Sequence, residues 1–178
     1  SGRELVATTW SQESAKDRVE FLERFAIGVN SDDESFLNEA LQDRSVEVRR
    51  VARVLLAGLP QSEFSRRLRG IATQVLSFKK ALMGRARIEV TLPEDPIEWL
   101  KANGIEIDNP PRNVAQTVGP KAWSLKEMIS LIPITHWTQL WQKSPTEVMR
   151  AADYSEWGAS LIAGFIAAAH RDRDSDFI

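Results

Sequence analysis

Apolar side chains recur every three or four residues along most of the chain, the spacing that lines one face of an α-helix. Between residues 13 and 29 that face holds Val19, Leu22, Phe25, Ala26 and Val29, widened by Phe21, with Ser11 or Ser14 as the cap. Phe36, Leu37, Ala40 and Leu41 form a short second stripe. The acidic run Asp32-Asp33-Glu34 ahead of it suits a helix N-terminus, where the dipole favours negative charge. Asp43-Arg44-Ser45 then turns the chain, with Ser45 as the expected N-cap. Val48, Val51, Ala52, Leu55, Leu56 and Leu59 make the third stripe, stopped by Gly58 and Pro60.

Ser62 starts the next helix, whose face Phe64, Leu68, Ile71, Val75, Phe78 and Leu82 is the most regular in the chain. The pattern changes over 84–122. There IEVTLP reads as a short strand or extended arm, and Pro93, Pro96, Pro110 and Pro111 break any long helix. A short helix over Pro96 to Ala102, stopped by Asn103-Gly104, is expected inside this connector. Helical spacing returns at Lys121 with Trp123, Leu125, Met128, Ile129 and Ile132, and a short helix carries Trp137, Leu140 and Trp141. Ser144-Pro145 opens a helix bearing Val148, Met149 and Ala152. A last helix, from about Ser155 to His170, is apolar almost all round and therefore expected to be buried on most sides. Glu47-Val48, Arg50 and Ala52 recur 100 residues later as Glu147-Val148, Arg150 and Ala152, a faint echo that fits two copies of one helix type.

These elements predict an all-α domain spanning 1–178. N-terminal helices occupy 1–83, an irregular and partly extended insertion 84–122, and C-terminal helices 123–178. At 178 residues, 43% hydrophobic and 27% charged, the chain can bury a sizeable core. It opens Ser-Gly without Met and ends in the polar RDRDSDFI, and so reads as part of a longer polypeptide. Cysteine is absent, which excludes disulfides and thiolate metal sites and fits a reducing cytosol. The longest apolar stretch, Ala159 to Ala169, is too short to span a bilayer, so no membrane association is expected.

Charge is divided unevenly. Residues 44–87 hold eleven basic side chains against Glu47 and Glu63, whereas the rest of the chain holds 12 basic and 23 acidic ones. Such separation implies pairing within the fold or with a partner. Arg66, Arg67, Arg69, Lys79 and Lys80 form the candidate interaction surface.

Candidate chemistry is sparse. His136 and His170 are the only imidazoles, and neither sits in a motif that pairs a base with a nucleophile. His136 is expected to pack or cap, and His170 to serve a helix C-terminus. Asp172, Asp174 and Asp176 alternate as in a calcium loop, but the central Gly and downstream Glu are missing. No Gly-rich loop follows a strand, so no nucleotide cofactor is expected. Trp123, Trp137, Trp141 and Trp157 are expected mainly in the core.

Two resemblances add to this reading. LQDRSVEVRRVARVLLAGLP resembles a HEAT-like repeat, with Asp43 in the turn, then Val48-Arg49, small Ala52 and large Leu55. FLNEALQDRSVEVRR, LPQSEFSRRL, GPKAWSLKEMISLIP and SEWGASLIAGFIAAA, in that order, resemble the bacterial family of domain of unknown function 5691. The resemblance implies a HEAT-like right-handed α–α superhelix in the cytoplasm, working beside ATPase and von Willebrand-type proteins. It carries no catalytic residues. The expected role is a noncatalytic scaffold for a protein partner. The alternative is a nucleic-acid-binding module that uses 44–87 to neutralise phosphates, as HEAT-like DNA glycosylases do.

Overall fold

The computed structural model describes residues 9–80, 84–115 and 117–173. Its elements are helices α1 (Ala15–Phe25), α2 (Glu34–Ala40), α3 (Val46–Ala57) and α4 (Glu63–Val75), strands β1 (Leu76–Lys79) and β2 (Arg87–Val90), and helices α5 (Pro96–Ala102), α6 (Arg112–Ala115), α7 (Pro120–Ser130), α8 (Ile134–Trp141), α9 (Pro145–Asp153) and α10 (Gly158–Asp172). The protein is mainly helical with one small antiparallel sheet. It divides into two compact units, Ser1–Ser65 and Arg66–Ile178.

In the first unit α1 and α2 pack on α3 around Leu22, Leu37, Val48, Ala52 and Leu56, all fully buried. Trp10, Phe21, Phe25 and Phe36 form an aromatic cluster beside them, with Trp10 edge-on to Phe36 at 5.0 Å. The first helix starts on one of its two expected caps. Ser14 Oγ accepts the Asp17 N–H. Asn30 and Asp33 exchange side-chain and backbone bonds in a capping box before α2. The third cap differs from expectation. Ser45 makes no side-chain cap to α3; the turn is closed instead by Asp43, whose Oδ1 accepts the Ser45 N–H at 2.8 Å as in an Asx-turn.

The most regular stripe also needs correction. It predicts helix from Phe64 through Phe78 to Leu82, but α4 stops at Val75 and the chain enters β1. Leu76-Ser77-Phe78-Lys79 satisfies a strand period as well as a helical one. Pairing in register with 87–90, Leu76 to Val90 and Phe78 to Ile88, decides between them. Leu82 lies outside the described residues. The connector accordingly holds β2, α5 and α6. α5 covers the expected residues and ends as expected at Asn103-Gly104, with Gly104 at φ +75°; at its start the Asp95 carboxylate accepts the Glu98 N–H. Trp123 Nε1 donates to the Asp108 carbonyl at 2.9 Å and pins the connector to α7.

In the second unit α7 and α10 form the tightest pair, and α5, α8 and α9 pack around them. Gly164 is the point of closest approach: a Cβ there would lie 2.7 Å from Ile129 Cβ and 3.0 Å from the Lys126 carbonyl oxygen. Arg171 Nη1 donates to the Ser130 carbonyl, closing the end of α7 against α10. α10 begins at Gly158 rather than Ser155, whose Oγ instead accepts the Trp157 N–H. Its apolar surface is not wholly enclosed, since Ile166 is 43% exposed.

Gly164→Ala is expected to destabilise the protein by about 1–3 kcal/mol, because overpacking against a backbone-held neighbour outweighs alanine's better helix propensity. Urea unfolding of the two proteins measures it. An alanine variant as stable as the parent would mean that α7 and α10 can part without cost.

Candidate anion-binding cleft

The strongest concentration of functional groups lies in the second unit, where β1, the start of β2's approach and α9 enclose a cleft of about 600 Å³. Phe78 and Lys80 come from β1 and its end, Gly84, Arg85 and Ala86 from the run into β2, and Lys143, Glu147, Arg150, Ala151 and Tyr154 from α9 and its flanks. The packing of α9 on β2 brings these distant segments together. Four cationic side chains therefore face one carboxylate.

That carboxylate is already committed. Ser144 is the N-cap of α9 and Pro145 its first residue, and Glu147 closes the capping box. Glu147 Oε2 accepts the Ser144 N–H at 2.9 Å, and Oε1 accepts from Lys143 Nζ at 3.1 Å. The Ser144 backbone bond, then the Lys143 and Ser144 side chains, hold its pKa down to about 2. Glu147 thus neutralises Lys143 and fills the anion position at the α9 N-terminus.

The cleft's aromatic rings carry cations on their faces. The Arg85 guanidinium lies 4.5 Å from the Tyr154 ring centre, and Lys143 Nζ lies 5.7 Å from that of Phe78. Lys80, Arg85 and Arg150 are exposed, and none has a carboxylate within ion-pair distance among the described residues. A smaller recess of about 200 Å³ shares Tyr154 and holds Glu89 and Glu156 beside Arg87, so the cationic area is short.

The structure disperses the five basic residues chosen from sequence. Only Lys80 enters the cleft. Lys79 pairs with Glu89 across the sheet at 3.3 Å. The Arg67 side chain lies against Gly104, where any Cβ would strike its guanidinium. Arg69 is half-buried and acts electrostatically on His136, and Arg66 is exposed on α4. Arg85, Lys143 and Arg150 join the cleft from outside that set; Arg85 belongs to the basic segment and Arg150 to the echo of Arg50. The echo was a weak signal for Arg150 alone.

The remaining candidates have local roles. His136 is half-buried in α8, edge-on to Trp137 at 5.0 Å; burial first, and Arg69 second, lower its pKa below 6.5. His170 and Arg171 occupy the last turn of α10. Asp172 pairs with Arg171, while Asp174 and Asp176 lie outside the described residues. Trp137 is fully buried; Trp123, Trp141 and Trp157 are partly so. No group of three His, Asp or Glu side chains poised for a metal ion occurs among the described residues, and no described helix is long and apolar enough to cross a membrane.

Compared with known protein families, residues 1–178 match the model of a family of unknown function, DUF5691. The chain belongs to that family. The match covers the whole length, the Asp43 hairpin and the cleft segments alike, so both are parts of one DUF5691 region. Comparison with curated proteins and with solved structures gives no match.

Proposed function

We propose that this DUF5691 chain is a noncatalytic binding scaffold whose helical hairpins, of HEAT-like type in a right-handed superhelix, present a protein-binding surface in the cytoplasm. The observation that carries the reading is the cation-rich, open cleft around α9, whose single carboxylate is spent on a helix cap. It offers binding groups without a nucleophile–base pair. The Asp43 hairpin supports the HEAT-like assignment: Arg49 Nη1 donates to the Asp43 carbonyl at 2.7 Å, so the Asp and Arg of the motif close one turn. ATPase and von Willebrand-type proteins are the partner classes proposed.

Nucleic acid is the second reading, favoured by the same Lys80, Arg85 and Arg150, which have no carboxylate partner among the described residues. It is the weaker one. Lys79 and Arg87 are drawn to Glu89, and the neighbouring acidic recess interrupts any track long enough to follow a phosphate backbone. The immobilised chain should bind a purified ATPase or von Willebrand-type protein saturably and leave duplex and single-stranded DNA in solution. Tight, steeply salt-dependent DNA binding with no protein binding would sink the scaffold reading.

A further inference from the structure

We infer that the α9 cleft is the docking site for a short, carboxylate-rich segment of a protein partner, with Arg85 and Arg150 as the principal anchors and Lys80 beside them. The inference rests on the scaffold reading and deepens it by naming the chemistry the scaffold selects.

Three observations lead there. First, the local anion position is filled from within: Glu147 caps α9 and binds Lys143, so an incoming anion meets Lys80, Arg85 and Arg150 instead. These three lack a carboxylate partner among the described residues, and two are guanidinium groups. A guanidinium presents a planar fork that matches a carboxylate at two points. Second, the Arg85 guanidinium rests 4.5 Å from the Tyr154 ring centre, and this contact restricts it before any ligand arrives, which lowers the entropic cost of engaging one. Third, the volume, about 600 Å³, suits a short peptide stretch. The cationic area ends at Glu89 and Glu156, whose charge would repel a longer polyanion but leave a compact acidic segment unopposed. Phe78 and Ala151 supply apolar floor between the cations for the backbone and aliphatic carbons of the segment.

Fluorescence anisotropy with the whole chain and a labelled peptide of alternating Glu and Ser tests this. A peptide of alternating Gln and Ser serves as the uncharged control. The Glu peptide should bind and the Gln peptide should not. Arg85→Gln combined with Arg150→Gln should weaken binding by roughly tenfold or more, since each removes a charge-assisted contact. Arg66→Gln, on α4 outside the cleft, should leave it within about twofold. Raising salt from about 50 to about 200 mM should weaken the parent's binding as well, a check independent of any variant's folding. Circular dichroism verifies that the double variant keeps its helices.

Failure of the Glu peptide to bind, or equal binding by parent and double variant, overturns the inference. So does a preference for duplex DNA over the peptide at equal charge. A parallel binding measurement with the purified ATPase or von Willebrand-type partner separates the two levels. If the double variant binds that partner as the parent does, the cleft inference falls and the scaffold reading stands. If the parent binds neither peptide nor partner, both fall.

Discussion

Asp43→Ala is expected to cost about 3–5 kcal/mol, the usual penalty for stranding one member of a buried ion pair. The Arg18 and Asp43 side chains are only 2% and 7% exposed. Arg18 Nη2 donates to Asp43 Oδ1 at 3.0 Å. Its Nε stands 2.8 Å from Oδ2, with the N–H off the line to that oxygen. Arg18 Nη1 also reaches the Glu13 carbonyl, and the guanidinium lies 5.8 Å from the Trp10 ring centre. Removing the carboxylate leaves a guanidinium that cannot shed its proton inside the packed unit. It also frees the Ser45 N–H, which Asp43 Oδ1 accepts at the head of α3. Asp43→Asn also leaves the Arg18 charge unpaired and should cost less than alanine only by the Ser45 bond its amide oxygen keeps, about 1 kcal/mol. Urea unfolding gives the sizes, and hydrogen exchange should locate the loss in α1–α3. A cost under about 1 kcal/mol for the alanine variant would place the pair in water, as for a surface bridge.

That pair shows where sequence stops being informative. Several helix starts and stops are local chemistry and were legible, although α4 stops at Val75 rather than Leu82 and α10 starts at Gly158 rather than Ser155. Ser14 and Ser144-Pro145 cap as expected and Gly104 turns α5; the caps at Asn30 and Asp95, and Arg49 tying the Asp43 turn from six residues away, follow the same local rules. Arg18, by contrast, sits on α1 among exposed charged neighbours, and nothing in its spacing says that it will be buried against a turn 25 residues on. β1 was hidden for a related reason. Leu76 and Phe78 fit two periods, and only a partner strand ten residues away chooses one. The cleft was the least legible of all. Counting charges along the chain locates a basic segment but not which of its members converge. Lys79 is drawn to Glu89, Arg67 lies against Gly104 and Arg69 is half-buried near His136, while α9 and the residues just before it contribute Lys143 and Arg150 from the acidic remainder.

Trp137→Ala is the other substitution with a large expected effect, about 3–5 kcal/mol, the range for truncating a buried aromatic. Trp137 is fully buried in α8, tilted against Trp141 at 4.9 Å and edge-on to Phe165 of α10 at 6.4 Å. It therefore joins two helices through ring contacts that alanine cannot replace. Trp137→Phe isolates a second, opposing effect. The indole Nε1–H is buried with no hydrogen-bond partner among the described residues. Leaving such a donor unsatisfied costs about 1–3 kcal/mol, a penalty that phenylalanine abolishes while retaining a ring for Trp141 and Phe165. The remaining loss is the volume difference between indole and phenyl. Phenylalanine should consequently recover more than half of what alanine loses, and urea unfolding midpoints of the three proteins at equal slope give the comparison. If phenylalanine costs as much as alanine, the Nε1–H is paired in solution, and the indole contributes through that bond as well as its packing.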